Sequence, residues 1–313
     1  WYQRRVRGMF TIGIDGGGTS TKAVLVDRQG TVLGCGHGGP SSVDTVSAET
    51  TSSSVLQAVE QAYDAAGIAR DQAPFGIVAG LGGVVSDRDK EGVKRIIQSH
   101  FYATERLEVC NDMVIALAGG CSCRPGVVMI MGTGAVAYGD NQDEQASKQT
   151  HKCGGWGWKE GDPGSAYDLG VQAIRAVVRA YDGRAEGTAF TAAVFERLRL
   201  TCIADITTVL YQDDMQRTEI AQLAQLVTEF FERDDPTAAD IVRRCFAEVH
   251  EQIRAVQKAV FGGRRTEVVL CGGLTQLGGK FGAELRRVLA DLGDVHGMET
   301  SSQVGAAMRA WKM

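Results

Sequence analysis

Thr11-Ile12-Gly13-Ile14-Asp15-Gly16-Gly17-Gly18-Thr19-Ser20-Thr21-Lys22-Ala23-Val24-Leu25-Val26-Asp27 is the stretch around which the chain is organised. Two β-type runs, Phe10–Ile14 and Ala23–Val26, flank a turn of three consecutive glycines and small hydroxyl residues. A hairpin turn needs only one or two glycines, so Asp-Gly-Gly-Gly-Thr is more than folding requires. Glycine permits positive φ and close backbone approach, and such a turn can converge its N–H groups on an anion. Asp15, at the end of the first strand, is placed to hold Mg²⁺ beside a phosphate, directly or through water. Thr19 and Ser20 add hydroxyl donors and Lys22 a positive charge.

Working outward, Thr31–Gly36 reads as a third antiparallel strand. Val55, Leu56, Val59, Ala62 and Tyr63 give a helix from about Ala48 to Ala66, with Gly67 as its stop. Pro74–Leu81 and Leu107–Cys110 suit buried strands, separated by an amphipathic helix over Asp87–Ser99. Asn111 and Asp112 open a short helix to Ala118. The alternation predicts a largely parallel sheet extending from the hairpin. A second half then begins as the first did, with a strand (Val127–Met131), a Gly132-Thr133-Gly134 turn and a strand (Ala135–Gly139). Beyond a polar connection over Asp140–Thr150 and a Gly/Trp-rich loop, Ser165 is a candidate N-cap. Helices are expected at Ala189–Leu200, Ile203–Tyr211, Thr218–Arg233 and Pro236–Phe261, then a strand at Glu267–Cys271, and helices at Phe281–Leu292 and Val304–Trp311. The expected division is a first lobe over residues 9–118, completed by the C-terminal helix at 304–313, and a second lobe over 119–303.

The 313 residues suffice for two ordinary domains. A hydrophobic share of 44% with 23% charged residues describes a globular chain, and a net charge of -5 without any basic cluster argues against nucleic acid or an anionic membrane as partner. The longest apolar run, Phe75–Val85, is too short to cross a bilayer. Trp1–Gly8, with Arg4, Arg5 and Arg7, lacks the apolar core of a secretory signal, Met9 reads as the start, and the cytoplasm is the expected location. The eight scattered cysteines are expected to be reduced thiols.

Three glycine turns thus end apolar strands: Asp15–Thr19, Gly132–Gly134 and Gly272-Gly273. In open α/β sheets ligands bind at that edge. The combination resembles the sugar kinase, Hsp70 and actin superfamily of ATPases. The resemblance implies an α/β, two-lobed actin-like (ribonuclease H-like) fold with ATP and substrate in the interlobe cleft. Gly16, Gly17, Gly18 and Thr19 look like its first phosphate motif, Gly132, Thr133 and Gly134 like its second, and Gly272 and Gly273 like its adenosine motif. ATP and Mg²⁺, the latter at Asp15, are the implied cofactors. Asp112 is the implied catalytic base, taking the proton of an attacking hydroxyl, although Asn111 and Asp112 are also ordinary helix-capping residues.

The segment Gly154-Gly155-Trp156-Gly157-Trp158-Lys159-Glu160-Gly161-Asp162-Pro163-Gly164-Ser165 resembles the Gly-Gly-Trp-Gly…Gly-Asp-Glu-Gly-Ser element of the N-acetylglucosamine kinase-like branch of the BadF/BadG/BcrA/BcrD ATPase family. The likeness implies an amino-sugar kinase, with Gly154, Gly155, Trp156, Asp162, Ser42, Asn111 and Asp112 at the sugar and a homodimeric state. Many members of that family carry Asn where this chain has Ser42, and Pro163 stands in place of the usual Glu. Two rival readings are an ATPase activator of a redox enzyme carrying an iron–sulfur cluster, with Cys121, Cys123, His151 and Cys153 as metal-capable residues, and a non-catalytic nucleotide- or sugar-binding regulator.

Overall fold

The computed structural model describes residues 9–100, 104–142, 148–211 and 215–313. The arginine-bearing segment before Met9 and the middle of the Asp140–Thr150 connection lie outside them. The chain divides into two compact units: one runs up to Pro125 and includes Met298–Met313, the other is Gly126–Gly297. The first boundary follows Pro125, not Ala118, because the turn after Gly120 is tied to the returning chain. Gly119 O accepts from Thr300 N at 3.0 Å and Cys123 N donates to Ala118 O at 2.8 Å.

In the first unit β1 (Phe10–Gly16), β2 (Thr21–Asp27), β3 (Val32–Gly38), β4 (Gly76–Leu81) and β5 (Leu107–Asn111) form a mixed sheet in the order β3-β2-β1-β4-β5. The first three pair antiparallel, and β4 and β5 add in parallel. Helix α1 (Ala48–Ala66) covers one face; its N-cap is Ser47, and Gly67 caps its end in the left-handed conformation. On that face Phe10, Ile12 and Ile14 pack with Val55, Val59, Tyr63 and Ile97, the last from α2 (Asp87–His100).

The fit of α1 to β3 explains a glycine at every second position of that strand. A Cβ on Gly34, Gly36 or Gly38 would lie 2.2, 1.9 or 2.1 Å from the carbonyl oxygens of Ala62, Ala58 and Ser54. Four helical residues rise about 6 Å and two strand residues about 6.6 Å, so the two repeats stay in step along the crossing. On the opposite face, Thr11 Oγ1 donates to Ala307 O at 2.8 Å, and Gly13 leaves no room for a side chain beneath Gln303 and Ala307. That face is therefore covered by the C-terminal helix, Ser302–Ala310, beside α3 (Asp112–Gly120).

The second unit repeats the pattern with β6 (Gly126–Met131), β7 (Ala135–Asp140), β8 (Thr150–Gly154), β9 (Thr266–Cys271) and β10 (Gly293–Gly297) in the order β10-β9-β6-β7-β8. Again three strands are antiparallel and two parallel. Neither β8 nor β10 was expected from local sequence. Its helices are α4 (Ala166–Tyr181), α5 (Ala189–Arg197), α6 (Asp205–Tyr211), α7 (Arg217–Gln222), α8 (Ala224–Glu232), α9 (Pro236–Phe261) and α10 (Gly279–Leu289); the C-terminal helix is α11. The expected single helix over Thr218–Arg233 is two, broken at Leu223. The core of the unit gathers Val127, Met129, Phe190, Val227, Phe246, Val249, Val256 and Phe281.

Candidate active site

In the first unit the parallel register sets the site. Asp15 pairs with Gly80, which pairs with Cys110, so the C-terminal ends of β1, β4 and β5 share one edge. Adjacent strands lie about 4.8 Å apart, which puts β1 and β5 about 10 Å apart with the slender β4 between them. Asp112 opens α3 directly after β5. Each carboxylate feels the fold and its neighbours. Burial, then the charge of Asp112, push Asp15 up to about 6 against the opposing pull of Lys22. Burial raises Asp112 too, countered by its own N–H and that of Met113 at the helix start, and raised further by Asp44.

Three loops are stitched around this edge. Ser41 N and Ser42 N both donate to Gly17 O (3.0 and 3.2 Å), Gly82 N donates to Gly16 O at 2.8 Å, and Val43 N donates to Gly82 O at 3.0 Å. Thr21 Oγ1 donates to Gly39 O at 2.7 Å and is hydrogen-bonded to the Ser41 hydroxyl, also at 2.7 Å. None of Gly16, Gly17 and Gly18 takes a positive φ. A Cβ on Gly16 would lie 2.3 Å from Ser41 Oγ, so this glycine permits close packing. Gly17 and Gly18 have only Ser20 O and Thr45 Oγ1 within 4 Å of a built Cβ, at 3.7 and 3.9 Å, and present bare backbone with Thr19 exposed beside them.

Ser42 sits at the carboxylate cluster: a Cβ on Gly82 would be 2.6 Å from Ser42 Oγ and 3.7 Å from Asp112 Oδ2. Its hydroxyl donates to Asp44 Oδ1 at 2.6 Å. Asp44 is a third carboxylate that the sequence reading did not single out. Asn111 is occupied by the fold, since its Oδ1 caps α3 by accepting from Met113 N at 3.2 Å and its Nδ2 donates to Val84 O at 3.3 Å. The Asp15 carboxylate, partly desolvated, repelled by the charge of Asp112 and without a hydrogen bond from any described side chain, is suited to a hard divalent cation.

In the second unit the pairing of Ile130 with Cys271 brings the ends of β6 and β9 side by side. Gly272, at φ 99°, lies against Met131, whose O is 2.4 Å from a built Cβ, so no other residue fits. The Gly132-Thr133-Gly134 turn is closed by Gly132 N donating to Gly134 O at 2.9 Å and is bound to the start of α4, where Ala166 N donates to Gly132 O at 2.9 Å. Gly132, Thr133 and Gly273 line one cavity of about 540 Å³ together with Leu274 and residues of α7 and α8. That volume lies in the usual range for ligand pockets. The contribution of α7 and α8 was missed, for their helical pattern carries no motif.

The Trp-rich loop runs from β8 to α4 through positive φ at Gly154, Gly155, Gly157, Gly161 and Gly164. Trp156 is 72% exposed with Lys152 Nζ 3.8 Å from its ring centroid, whereas Trp158 packs edge-on to Tyr167. Ser165 accepts from Asp168 N as the expected cap. Asp162 is 2% exposed, and its Oδ2 accepts from Arg217 Nη2 at 2.6 Å. Cys121 and Cys123 are buried in the first unit, while His151 and Cys153 lie on β8 in the second. Among the described residues, none of these four belongs to a group of three or more ligand side chains close enough to share an ion.

The family model of the BadF/BadG/BcrA/BcrD ATPase family matches residues 12–289. The chain belongs to this family. An N-acetylmuramic acid/N-acetylglucosamine kinase of Clostridium acetobutylicum is 30% identical over 261 residues, 83% of each chain. An N-acetyl-D-glucosamine kinase of Dictyostelium discoideum is 28% identical over 256 residues, 79% of each. Among solved structures, one from Chromobacterium violaceum described as a "Putative N-acetylglucosamine Kinase" matches at 27% identity and a TM-score of 0.72, covering 96% of this chain and 98% of that one. A glucokinase of the ROK family from Streptomyces griseus, at 17% identity and a TM-score of 0.57, shares the fold.

Proposed function

We propose that this protein is an ATP-dependent kinase that phosphorylates a hydroxyl of an amino sugar, with N-acetylglucosamine, glucosamine and N-acetylmuramic acid as the acceptors to try. The observation that carries the reading is Asp112, a carboxylate at the edge of the first sheet whose affinity for a proton is raised by burial and by Asp44. A general base works best when its pKa approaches the working pH. The acceptor oxygen attacks the γ-phosphorus, the bond from that phosphorus to the β,γ-bridging oxygen breaks, ADP leaves, and the hydroxyl proton passes to Asp112.

The glycine turns bind phosphate through backbone N–H groups: Gly16–Thr19 in the first unit and Gly132–Gly134 in the second. The cavity bounded by Gly273 takes the adenosine. Mg²⁺ at Asp15, when bound, neutralises phosphate charge. Ser42 and the Gly154–Trp156 segment contact the sugar, and Asn111 serves it by fixing the start of α3. Four cysteines, Cys110, Cys121, Cys123 and Cys245, are buried and in no disulfide, in keeping with a cytoplasmic protein. A homodimer is the expected assembly, to be checked by light scattering. The iron–sulfur reading draws no support from Cys121 and Cys123, since both are buried and Cys123 Sγ is directed at Gly305 O, 3.7 Å away.

The test is ADP release from Mg-ATP in the presence of each sugar separately. Stimulation well above basal hydrolysis by at least one of them is expected. ADP release indifferent to all of them overturns the kinase reading.

A further inference from the structure

The residues so far assigned to phosphate in the second unit are glycines and a threonine, without a cation. The structure supplies one in Arg217, the first residue of α7. Its guanidinium lies against the phosphate-type turn: a Cβ on Gly134 would be 2.7 Å from Arg217 Nη2 and 3.0 Å from Asp162 Oδ2. Asp162, 2% exposed, holds the Nη2 end at 2.6 Å. Arg217 Nε is buried and has no acceptor among the described residues. The next residues of the helix, Thr218, Ala221 and Gln222, line the cavity that Gly132 and Thr133 also line.

A guanidinium has five donors in a planar fork, and one carboxylate oxygen leaves most of them unused. A buried donor without an acceptor is costly unless something else completes it. The group that matches the fork and suits this turn is a phosphate, with two oxygens in reach of parallel N–H bonds. We infer that Arg217 is a phosphate-binding residue: with nucleotide present its guanidinium contacts the terminal phosphate held at Gly132–Gly134, and Asp162 positions it. The inference rests on the kinase reading and deepens it. It also gives Asp162 a positioning role beside the expected contact with the sugar. No bond to Arg217 forms or breaks; its charge offsets that on the phosphoryl group while the bond to ADP lengthens and the bond to the acceptor forms.

The experiment compares Arg217→Met and Arg217→Lys with the unmodified protein. Affinities for ATPγS and ADP are measured with Mg²⁺ by displacement of a fluorescent nucleotide, and kcat and KM are measured for the best sugar. The expected result for Arg217→Met is ATPγS affinity lowered at least about tenfold with ADP affinity nearly unchanged, and kcat lowered by about 100-fold or more. The sugar KM should stay within about threefold, and Arg217→Lys should recover part of kcat but not all, for want of the fork. Guanidinium ion added to Arg217→Ala should restore part of the rate. If Arg217→Met does not fold, the ATPγS-over-ADP preference of Arg217→Lys decides, and an unchanged preference overturns the inference. A rise in sugar KM alone, with nucleotide affinities and kcat intact, also overturns it and leaves Arg217 as a support for Asp162. The nucleotide arm needs no acceptor, so it is read independently of whether any sugar is phosphorylated.

Discussion

At the scale of single residues the molecule turns on Asp15 and Asp112, two carboxylates that burial makes reluctant to ionise. For Asp15 the sign of the pH effect follows from its shift from 3.8 to about 6. Between those values the native state keeps a proton that the unfolded state has released. Stability therefore falls as pH rises through that window and levels off above it. Activity runs the other way, since metal binding and proton acceptance both need the ionised forms, so the rate should climb through about pH 6. Asp15→Asn should stabilise the metal-free protein near neutral pH by roughly 1–3 kcal/mol in urea denaturation while nearly abolishing transfer. A loss of stability there would refute the burial argument. Asp112→Asn should lower kcat by at least about 100-fold with nucleotide affinity preserved. These two residues were legible as candidates because Asp15 lies at the end of a β-run beside a glycine turn and Asp112 directly follows one at a helix start. Asp44 and Arg217 were not, because their significance comes from packing: Arg217 is 55 positions along the chain from the carboxylate it holds.

Among the elements, legibility followed local pattern. The helices Ala48–Ala66 and Pro236–Phe261 have the expected bounds, since each carries a 3.6-residue apolar stripe and a strong stop or start signal. The strands β8 and β10 lack that support. Thr150-His151-Lys152-Cys153-Gly154 and Gly293-Asp294-Val295-His296-Gly297 are polar, the first ending in a glycine and the second bounded by two, and both sit at sheet edges where little needs burying. The signal that does find β8 is the repeat itself. If Val127–Gly139 copies the first hairpin, a third antiparallel strand should follow it as β3 follows β2. The glycines of β3 were visible as residues but not as a helix-docking track. Gly36→Ala places a methyl 1.9 Å from Ala58 O, so helix or strand must shift. A destabilisation of about 1–3 kcal/mol is expected in urea, and substitution at Gly30, whose built Cβ meets nothing within 4 Å, serves as the control for strain without contact.

At the scale of the whole molecule, two units of one topology carry different chemistry on equivalent edges. The edge of the first has carboxylates, and the edge of the second has bare backbone, a cavity and an arginine. Nucleotide bound to the native state alone should stabilise the protein by about 2.7 kcal/mol at a hundredfold excess over Kd, with a matching rise in melting temperature. The proposed reaction is the phosphorylation of an amino sugar with Asp112 as base. It is tested most directly by mass spectrometry of N-acetylglucosamine, glucosamine and N-acetylmuramic acid after incubation with Mg-ATP and either the unmodified protein or Asp112→Asn. A monophosphorylated sugar, formed in step with ADP, is expected with the unmodified protein and almost none with the variant. ADP accumulating with no phosphorylated sugar, or equal yields from the two proteins, would contradict it.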